Sequence, residues 1–124
     1  RKEKKMANPN IVNVATINGK TDSGELNTTY TTSLVTNSAA SGKVYKINNI
    51  VCTNKAGTDT TFRFSFYDGS NDRFLAYNVN CPANTVVIVT DKNSSFYLEE
   101  GDSVRGGAAT NSRLDYVISY EEIS

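Results

Sequence analysis

Alternation of apolar and polar residues is the feature that most constrains the fold of this chain of 124 residues. Phe62, Phe64 and Phe66 alternate with other residues, which places three aromatic rings on one face of an extended strand. The same spacing gives two further rows, Leu75, Tyr77, Val79 and Cys81, and Leu114, Tyr116, Ile118 and Tyr120. No segment shows an apolar stripe of helical period and length. The pattern therefore predicts an all-β chain.

Turn signals separate these rows from less regular strand candidates at spacings of about ten residues. The turn signals include Asn18-Gly19, Ser41-Gly42, Ala56-Gly57, Gly106-Gly107 and the polar run 68–72. The other strand candidates are 11–17, 26–35, 44–53, 85–90, 96–98 and 103–105. About eight to nine short strands of this kind predict an antiparallel β-sandwich, jelly-roll-like in form, as a single domain over residues 8–124.

One candidate strand changes the parity of its apolar residues. Tyr45 and Ile47 share one face of segment 44–53, whereas Ile50 and Cys52 share the other. A β-bulge near Asn48-Asn49 would place all four on the same side, because a bulge inserts one extra residue into a strand. We therefore predict a bulge at this point.

Histidine and tryptophan are both absent from the sequence, which restricts its chemistry. Without histidine there is no Ser-His or Cys-His nucleophile activation and no imidazole metal ligand. Phosphate-binding, dinucleotide-binding and nucleophile-elbow motifs are also missing. Glycoside hydrolysis by a carboxylate pair is an alternative, for which Asp91, Asp115 and Glu121 are available. We expect no enzymatic activity and no cofactor.

Two acidic clusters are compatible in composition with calcium, since carboxylate oxygens are its usual ligands. Glu99, Glu100 and Asp102 form one cluster, and the run 68–72 forms the other. A turn explains each of them better. The first contains Gly101 between apolar segments, and the second lacks the glycine and terminal glutamate of an EF-hand loop and is placed like a hairpin. The sequence thus predicts two turns and no metal site.

Charge is balanced overall, with 13 Lys and Arg against 13 Asp and Glu. The first five residues hold four bases and one acid, so the remainder carries nine bases against 12 acids. A mildly acidic domain is not expected to bind nucleic acid. Residues 1–7 are predicted to be a disordered basic arm or a tag remnant. No apolar run approaches the ~18 residues of a membrane span, so no membrane contact is expected.

The two cysteines, Cys52 and Cys81, lie on apolar-patterned segments without the spacing of a redox or zinc motif. Buried free thiols are the first prediction, and a cross-strand disulfide is the alternative.

Most of the seven Tyr and five Phe residues have the parity of a core. Tyr30, Tyr45 and Tyr67 lie off the clear rows and are the candidate exposed contact residues. The threonines at 28, 29, 31 and 32 predict an edge strand or a strand in contact with another subunit, which favours a homo-oligomer.

The C-terminal part of the chain reads FYLEEGDSVR over 96–105 and LDYVISYEEI over 114–123. Together with segments 11–14, 17–20, 41–48 and 81–85, these motifs resemble a family of small virion proteins of tailed bacteriophages, especially marine ones. The resemblance spans residues 8–123, and its motifs are turns and strands.

This resemblance implies a non-enzymatic particle component, a capsid decoration or cement protein bound to the head surface. The expected partners are the major capsid protein or other virion proteins, the expected form is a homo-oligomer such as a trimer, and the expected location is the virion, assembled in the host cytoplasm. The alternative is a tail or fibre module that binds a host surface glycan through exposed tyrosines.

Overall fold

The computed structural model of the chain describes residues 16–124, and this part folds into β-strands and one turn of 3₁₀ helix, Lys92–Ser94. Nine strands lie within the described range, which confirms the all-β prediction. They are β1 (Ile17–Glu25), β2 (Ser33–Thr36), β3 (Val44–Asn54), β4 (Thr60–Tyr67), β5 (Asp72–Cys81), β6 (Val86–Thr90), β7 (Phe96–Leu98), β8 (Ser103–Ala108) and β9 (Leu114–Ile123). The predicted basic arm, residues 1–7, lies outside the described residues.

The strands form two antiparallel sheets that pack face to face. Sheet A has the order β1-β9-β3-β6, with β7 also paired to β3, and sheet B has the order β2-β8-β4-β5. Pairing is nested, because β1 pairs with β9, β2 with β8, and β4 with β5. The first half of the chain is thus folded back on the second and rolled into two layers, which is the architecture of a jelly roll.

Alternation along the strands builds the core between the sheets. Phe62 and Phe64 of β4 and Ile118 of β9 are fully buried, at 0% exposure. Each large apolar side chain buried in this way contributes about 1.5–3 kcal/mol relative to exposure. The bulge predicted in β3 is confirmed by a register shift between Ile47 and Asn49, so that Ile47 and Ile50 both reach the core.

Gly106 and Gly107 lie inside β8, so the prediction of a turn at this pair is wrong. A Cβ atom on Gly107 would lie 2.9 Å from the backbone oxygen of Thr29 and 3.0 Å from that of Asn27. The glycine is needed here because another backbone packs directly on the strand. Gly107 is thus explained by the close approach of another backbone segment and not by a turn of the chain.

The backbone that covers Gly107 belongs to segment 26–32. Only its continuation, Ser33–Thr36, is a strand, so the strand predicted over 26–35 is largely wrong. The segment is held by the Ala108 N–H, which donates to the Asn27 oxygen at 2.8 Å, and by the Asn27 side chain, which accepts from the Thr29 N–H at 2.9 Å. Its polar side chains satisfy the backbone locally, which competes with strand pairing.

β1 contains the Asn18-Gly19 pair that the sequence predicts as a turn, and this prediction is wrong. The neighbouring strand predicted over 11–17 lies, apart from its last two residues, outside the described range. β1 escaped prediction because nearly all of its side chains are exposed on both faces, which removes the apolar alternation that marks a strand.

The side chains predicted to form one row in β5, Leu75, Tyr77, Val79 and Cys81, do not all lie on the same face of the sheet. Its pairing with β4 has two register shifts, between Phe62 and Phe64 and between Phe64 and Ser65. As a result Tyr77 is 56% exposed, whereas Cys81 is fully buried. One shift reverses the parity of β5 and the other restores it, so Tyr77 faces outward while Cys81 and Leu75, on either side of it, pack against the core. Period-two spacing in the sequence does not reveal such a pair of shifts.

Candidate functional site

Four side chains on the outer face of sheet B form what we call the aromatic–arginine face: Tyr30, Arg63, Phe74 and Tyr77. The guanidinium carbon of Arg63 lies 4.1 Å from the ring centroid of Tyr30 and 4.4 Å from that of Tyr77. The Phe74 ring packs edge-on against Tyr77, with 4.7 Å between centroids. One guanidinium thus makes cation–π contacts with two rings, which brings Tyr30 and Tyr77 together.

Local strand geometry places these groups. Arg63 faces outward because its neighbours Phe62 and Phe64 face the core. Tyr77 faces outward because β5 is irregular at Asn78, which has the left-handed backbone value φ 51°. The Asn78 side-chain oxygen accepts a hydrogen bond from Arg63 Nε at 2.7 Å, which ties the irregular residue to the face.

Exposure distinguishes this face from the core. Phe74 is 50% exposed and Tyr77 is 56% exposed, although both rings are large and adjacent. Burying aromatic rings of this size dominates the energetics of protein interfaces. Contiguous exposed apolar surface of this kind marks a contact site for another molecule.

A second arginine, Arg105 of β8, lies nearby on the same sheet. Its guanidinium carbon is 3.3 Å from the ring centroid of Tyr67, and its Nη1 is 3.2 Å from Asp72 Oδ2. Ser65 Oγ donates to the other oxygen of Asp72 at 3.0 Å. These contacts join Ser65 and Tyr67 of β4, Asp72 of β5 and Arg105 of β8, so the cluster links the three strands.

The three tyrosines predicted as exposed contacts have different environments. Tyr30 belongs to the aromatic–arginine face, and Tyr67 is half-buried beneath Arg105. The prediction is wrong for Tyr45, which is only 9% exposed and stacks on Tyr120 with 5.3 Å between centroids. Tyr45 precedes the bulge of β3 and therefore shares the inner face with Ile47.

Phe74 and Tyr77 were missed as surface residues. The apolar residues of 75–81 alternate regularly in the sequence, and this spacing places Tyr77 in a buried row. The one sequence signal for the irregularity is Asn78 itself, since asparagine adopts a left-handed backbone more readily than most residues.

Sheet A has an exposed apolar row on its own outer face. Val51 of β3 lies opposite Ile88 of β6 on one side and opposite Val117 of β9 on the other. Ile88 is 63% exposed, Val117 is 41% exposed, and the neighbouring Val86 is 52% exposed. We call these four residues the outer apolar row. The molecule thus presents apolar side chains on both outer faces.

An open cleft of about 350 Å³ lies between the sheets at one end of the sandwich. Aromatic and aliphatic side chains dominate its lining, which consists of Phe66, Leu75, Ser94, Phe96 and Tyr97. The Ser94 hydroxyl accepts from the Asp91 backbone N–H at 3.2 Å as part of a helix cap. Among the side chains that the structure describes, the lining holds no carboxylate or amine, so the cleft is an apolar notch.

The carboxylates singled out for glycoside hydrolysis have different contacts in the described part of the chain. Asp91 caps the 3₁₀ helix by accepting from the Asn93 N–H at 2.9 Å. Asp115 lies 2.9 Å from Lys55 Nζ, which also contacts Glu25. Glu121 lies in the register of β9 opposite Lys46. These carboxylates cap a helix or lie along β9, and they do not form an acid–base pair.

The two acidic clusters act as turns. Asp102 Oδ2 accepts from the Glu99 N–H at 2.9 Å, and a Glu100 carboxylate oxygen accepts from the Gly42 N–H. In the hairpin between β4 and β5, Asp68 Oδ1 accepts from the Asn71 N–H at 2.8 Å, which confirms the predicted hairpin. Among residues 16–124 no group of three or more His, Cys, Asp and Glu residues is arranged to hold a metal ion.

Both cysteines are free thiols at 0% exposure, which confirms the first prediction for them. Burial, followed by the neighbouring Cys81, raises the pKa of Cys52 to about 12. A thiol of this kind stays protonated at neutral pH and packs as a small apolar side chain.

No protein-family model, curated protein or solved structure matches this chain. In the part of the chain that the structure describes, no helix has the length and apolar character needed to cross a lipid bilayer. What the chain does has to be inferred from its own residues.

Proposed function

We propose that this chain is a non-enzymatic structural protein of a phage virion, a capsid decoration or cement protein that binds the head surface as an oligomer. The major capsid protein or a neighbouring virion protein would be its partner. Its mechanism is multivalent contact, in which several modest surfaces bind at once and together give durable attachment.

The observation that carries this proposal is the exposure of large apolar side chains on both outer faces of one small sandwich. Among residues 16–124, eight such residues are between 36% and 63% exposed, and the aromatic–arginine face and the outer apolar row hold most of them. Surfaces of this composition are typical of contacts with proteins. Two opposite faces allow the domain to contact two neighbours at the same time.

The fold and the sequence resemblance support the same function. Jelly rolls recur in viral capsid proteins and in lectins, although a fold by itself does not determine a function. The turn motif of 96–105 and the closing strand of 114–123 resemble small phage virion proteins. The structure forms these segments as β7, β8 and β9.

Localisation in the particle tests the proposal directly. Gold-labelled antibody against the chain, followed by cryo-electron microscopy of purified particles of the phage that encodes it, is expected to mark the head. Label confined to the tail would contradict the head assignment. A chain absent from purified particles would contradict a virion role altogether.

Surface variants identify which face makes the contact. Ile88→Glu places a charge in the outer apolar row, and Phe74→Glu places one in the aromatic–arginine face. Ser70→Glu, in the exposed β4–β5 hairpin, is the control with the same added charge. Binding to purified heads that lack the protein should fall for Ile88→Glu or Phe74→Glu and not for the control. Equal binding by all three variants would contradict a role for both faces.

A tail or fibre module that binds a host glycan is a second candidate, favoured by the exposed rings beside an amide side chain. Phe74 and Tyr77 offer flat apolar surfaces, and Asn78 lies next to them. Glycan-array binding that Tyr77→Ala abolishes would favour this function. Tyr97→Ala, which removes a 42% exposed ring from sheet A, is the matched control. Binding lost equally in both variants would contradict a site on the aromatic–arginine face.

A further inference from the structure

β1 forms one edge of sheet A, and within the described residues it pairs only with β9. Thr16 and Ser124 exchange backbone hydrogen bonds of 3.1 and 2.9 Å, and the Leu26 N–H donates to the Leu114 oxygen at 2.8 Å. Even-numbered residues of β1 therefore bond to β9, because hydrogen-bonded pairs alternate in an antiparallel ladder. The N–H and C=O groups that point away from the sheet belong to Ile17, Gly19, Thr21, Ser23 and Glu25.

Two of the usual features that prevent strand addition, a proline and a β-bulge, are absent from β1. Its nine residues pair with β9 without a register shift, and all are exposed except Asp22, which is half-buried. β1 contains no proline and a single lysine, Lys20. A long, regular edge of this kind is a template for pairing with another strand.

We propose that β1 pairs antiparallel with β1 of a second copy of this chain, about a two-fold axis that passes through Thr21. In this register Lys20 lies opposite Asp22 of the partner subunit, and Asp22 lies opposite the partner's Lys20. The two sheets A join into one continuous sheet across the axis. The edge is thus self-complementary, as a two-fold interface requires.

Charge selects this register over its neighbours. An axis through Lys20 places two lysines opposite each other, and an axis through Asp22 places two aspartates opposite each other. Like charges directly opposite destabilise an antiparallel pair. Axes through Gly19 or Ser23 separate Lys20 from Asp22 of the partner subunit and leave the ends of the strand unpaired. Only the axis through Thr21 pairs both charges and uses all nine residues.

Ladder geometry strengthens the charge pairing. Lys20 and Asp22 bond to β9, so across the new interface they occupy non-hydrogen-bonded positions, where opposite Cα atoms are about 4.5 Å apart and side chains are closest. Thr21 lies opposite its own counterpart, and threonine pairs across antiparallel strands are favourable. A pair of strands alone buries less than a standard interface, so the dimer is expected to be reversible.

This inference does not rest on the virion function. A two-fold pair also differs from the trimer that the sequence resemblance implies. Particle localisation and the association of the purified chain are separate measurements, so either proposal can fail while the other stands.

Sedimentation of the full chain over a concentration series is the first test. The chain is expected to approach twice its mass of 13.5 kDa as its concentration rises. Lys20→Glu places a carboxylate opposite Asp22 of the partner subunit, and should weaken the dimer by about tenfold or more. Lys20→Glu combined with Asp22→Lys restores the opposite charges and should recover most of that loss. Arg73→Glu, the same charge change on exposed β5, should have no effect.

Disulfide trapping tests the axis itself. Under mild oxidation Thr21→Cys is expected to give a covalent dimer, since residues opposite each other have Cα atoms about 5.5 Å apart. In the same register the two copies of residue 23 lie about 14 Å apart, beyond disulfide reach, so Ser23→Cys should not cross-link. The native thiols, Cys52 and Cys81, are fully buried and should not compete.

Three results would overturn the proposal. The first is a chain that stays monomeric up to millimolar concentration. The second is a dimer that Lys20→Glu leaves unchanged, which would place the interface on another surface. The third is cross-linking of Ser23→Cys as fast as that of Thr21→Cys, which would exclude this register.

Discussion

The two sheets end in edge strands of opposite character, β1 in sheet A and β5 in sheet B. β1 keeps one register with β9 over nine consecutive residues, whereas β5 shifts register twice against β4 and holds Asn78 at φ 51°. Irregular edges resist strand addition, and regular ones invite it. Of these two edges, β5 is thus protected by its own backbone geometry, whereas β1 is regular along its whole length.

The two edges also differ in what they add to the core. β5 contributes the fully buried Cys81 and the partly buried Leu75, whereas every side chain of β1 is exposed or half-buried. Burial on one face normally fixes the register of a strand. In β1 that burial is missing, so the hydrogen bonds to β9 and surface contacts such as Asp22 with Tyr120 have to fix the register.

The contrast between buried and exposed positions of sheet B predicts the largest effect. Phe64 of β4 is 0% exposed and Phe74 of β5 is 50% exposed. Phe64→Ala should lower the free energy of unfolding by about 3–5 kcal/mol, because it leaves a cavity in the core. Phe74→Ala should change it by about 0.5 kcal/mol or less. Urea unfolding measures both, and similar losses would contradict the assignment of the two faces.

A glycine substitution tests how closely segment 26–32 packs on β8. On Gly107 a methyl group would meet the Thr29 oxygen, so Gly107→Ala should displace segment 26–32 and cost about 1–3 kcal/mol. Gly19→Ala of β1 is the control, since nothing lies within 4 Å of its added Cβ. Thermal unfolding of the two variants gives the comparison. An equal loss in both would contradict close backbone packing over β8.

Sequence alone predicts well which side chains of the inner strands face the core. The rows of β4 and β9 and the bulge of β3 follow from which apolar residues need to reach one core. Where burial decides which side chains face inward, as at Ile47 and Ile50, the spacing of the apolar residues predicts the face of the strand on which they lie.

The surface elements were not predictable in the same way. β1 has no buried face, so its alternation is absent, and the covering of Gly107 by segment 26–32 depends on a contact distant in sequence. Tyr77 reaches the surface because β5 is irregular, which a regular apolar spacing conceals, whereas Phe74 has the outward parity that the row of 75–81 already implies. Of the predicted contact tyrosines only Tyr30 joins the aromatic–arginine face, since backbone irregularities and not composition decide exposure there.

The irregularity of β5 can be tested at Asn78. A β-branched side chain disfavours a left-handed backbone, so Asn78→Val should cost about 1–2 kcal/mol, in part through loss of the bond to Arg63. Asn78→Gly should cost less, because glycine adopts this conformation freely. Chemical denaturation of both variants measures the difference. A higher free energy of unfolding for Asn78→Val than for Asn78→Gly would contradict the left-handed conformation of residue 78 as the cause of the irregularity in β5.

The smallest expected effect concerns the contact between β1 and the core of sheet A. Tyr120 donates a hydrogen bond of 3.3 Å to Asp22 Oδ2. Burial, and then the charge of Asp22, raise the pKa of Tyr120 from 10.0 to about 12. Between these values the unfolded chain has lost the phenolic proton while the folded chain keeps it. The free energy of unfolding should therefore be fully maintained below pH 10 and should fall as the pH rises toward 12.

Tyr120→Phe separates this contribution from general alkaline denaturation. At neutral pH the variant should lose about 0.5–1.5 kcal/mol, the usual contribution of one hydrogen bond. Above pH 10 its stability should fall less steeply than that of the native chain, because the proton that is held in the folded state is gone. Tyr97→Phe, at a 42% exposed ring on β7, should keep the native slope. Parallel pH profiles for the native chain and Tyr120→Phe would contradict a raised pKa of Tyr120 in the folded chain, and with it the burial and the Asp22 contact that raise it.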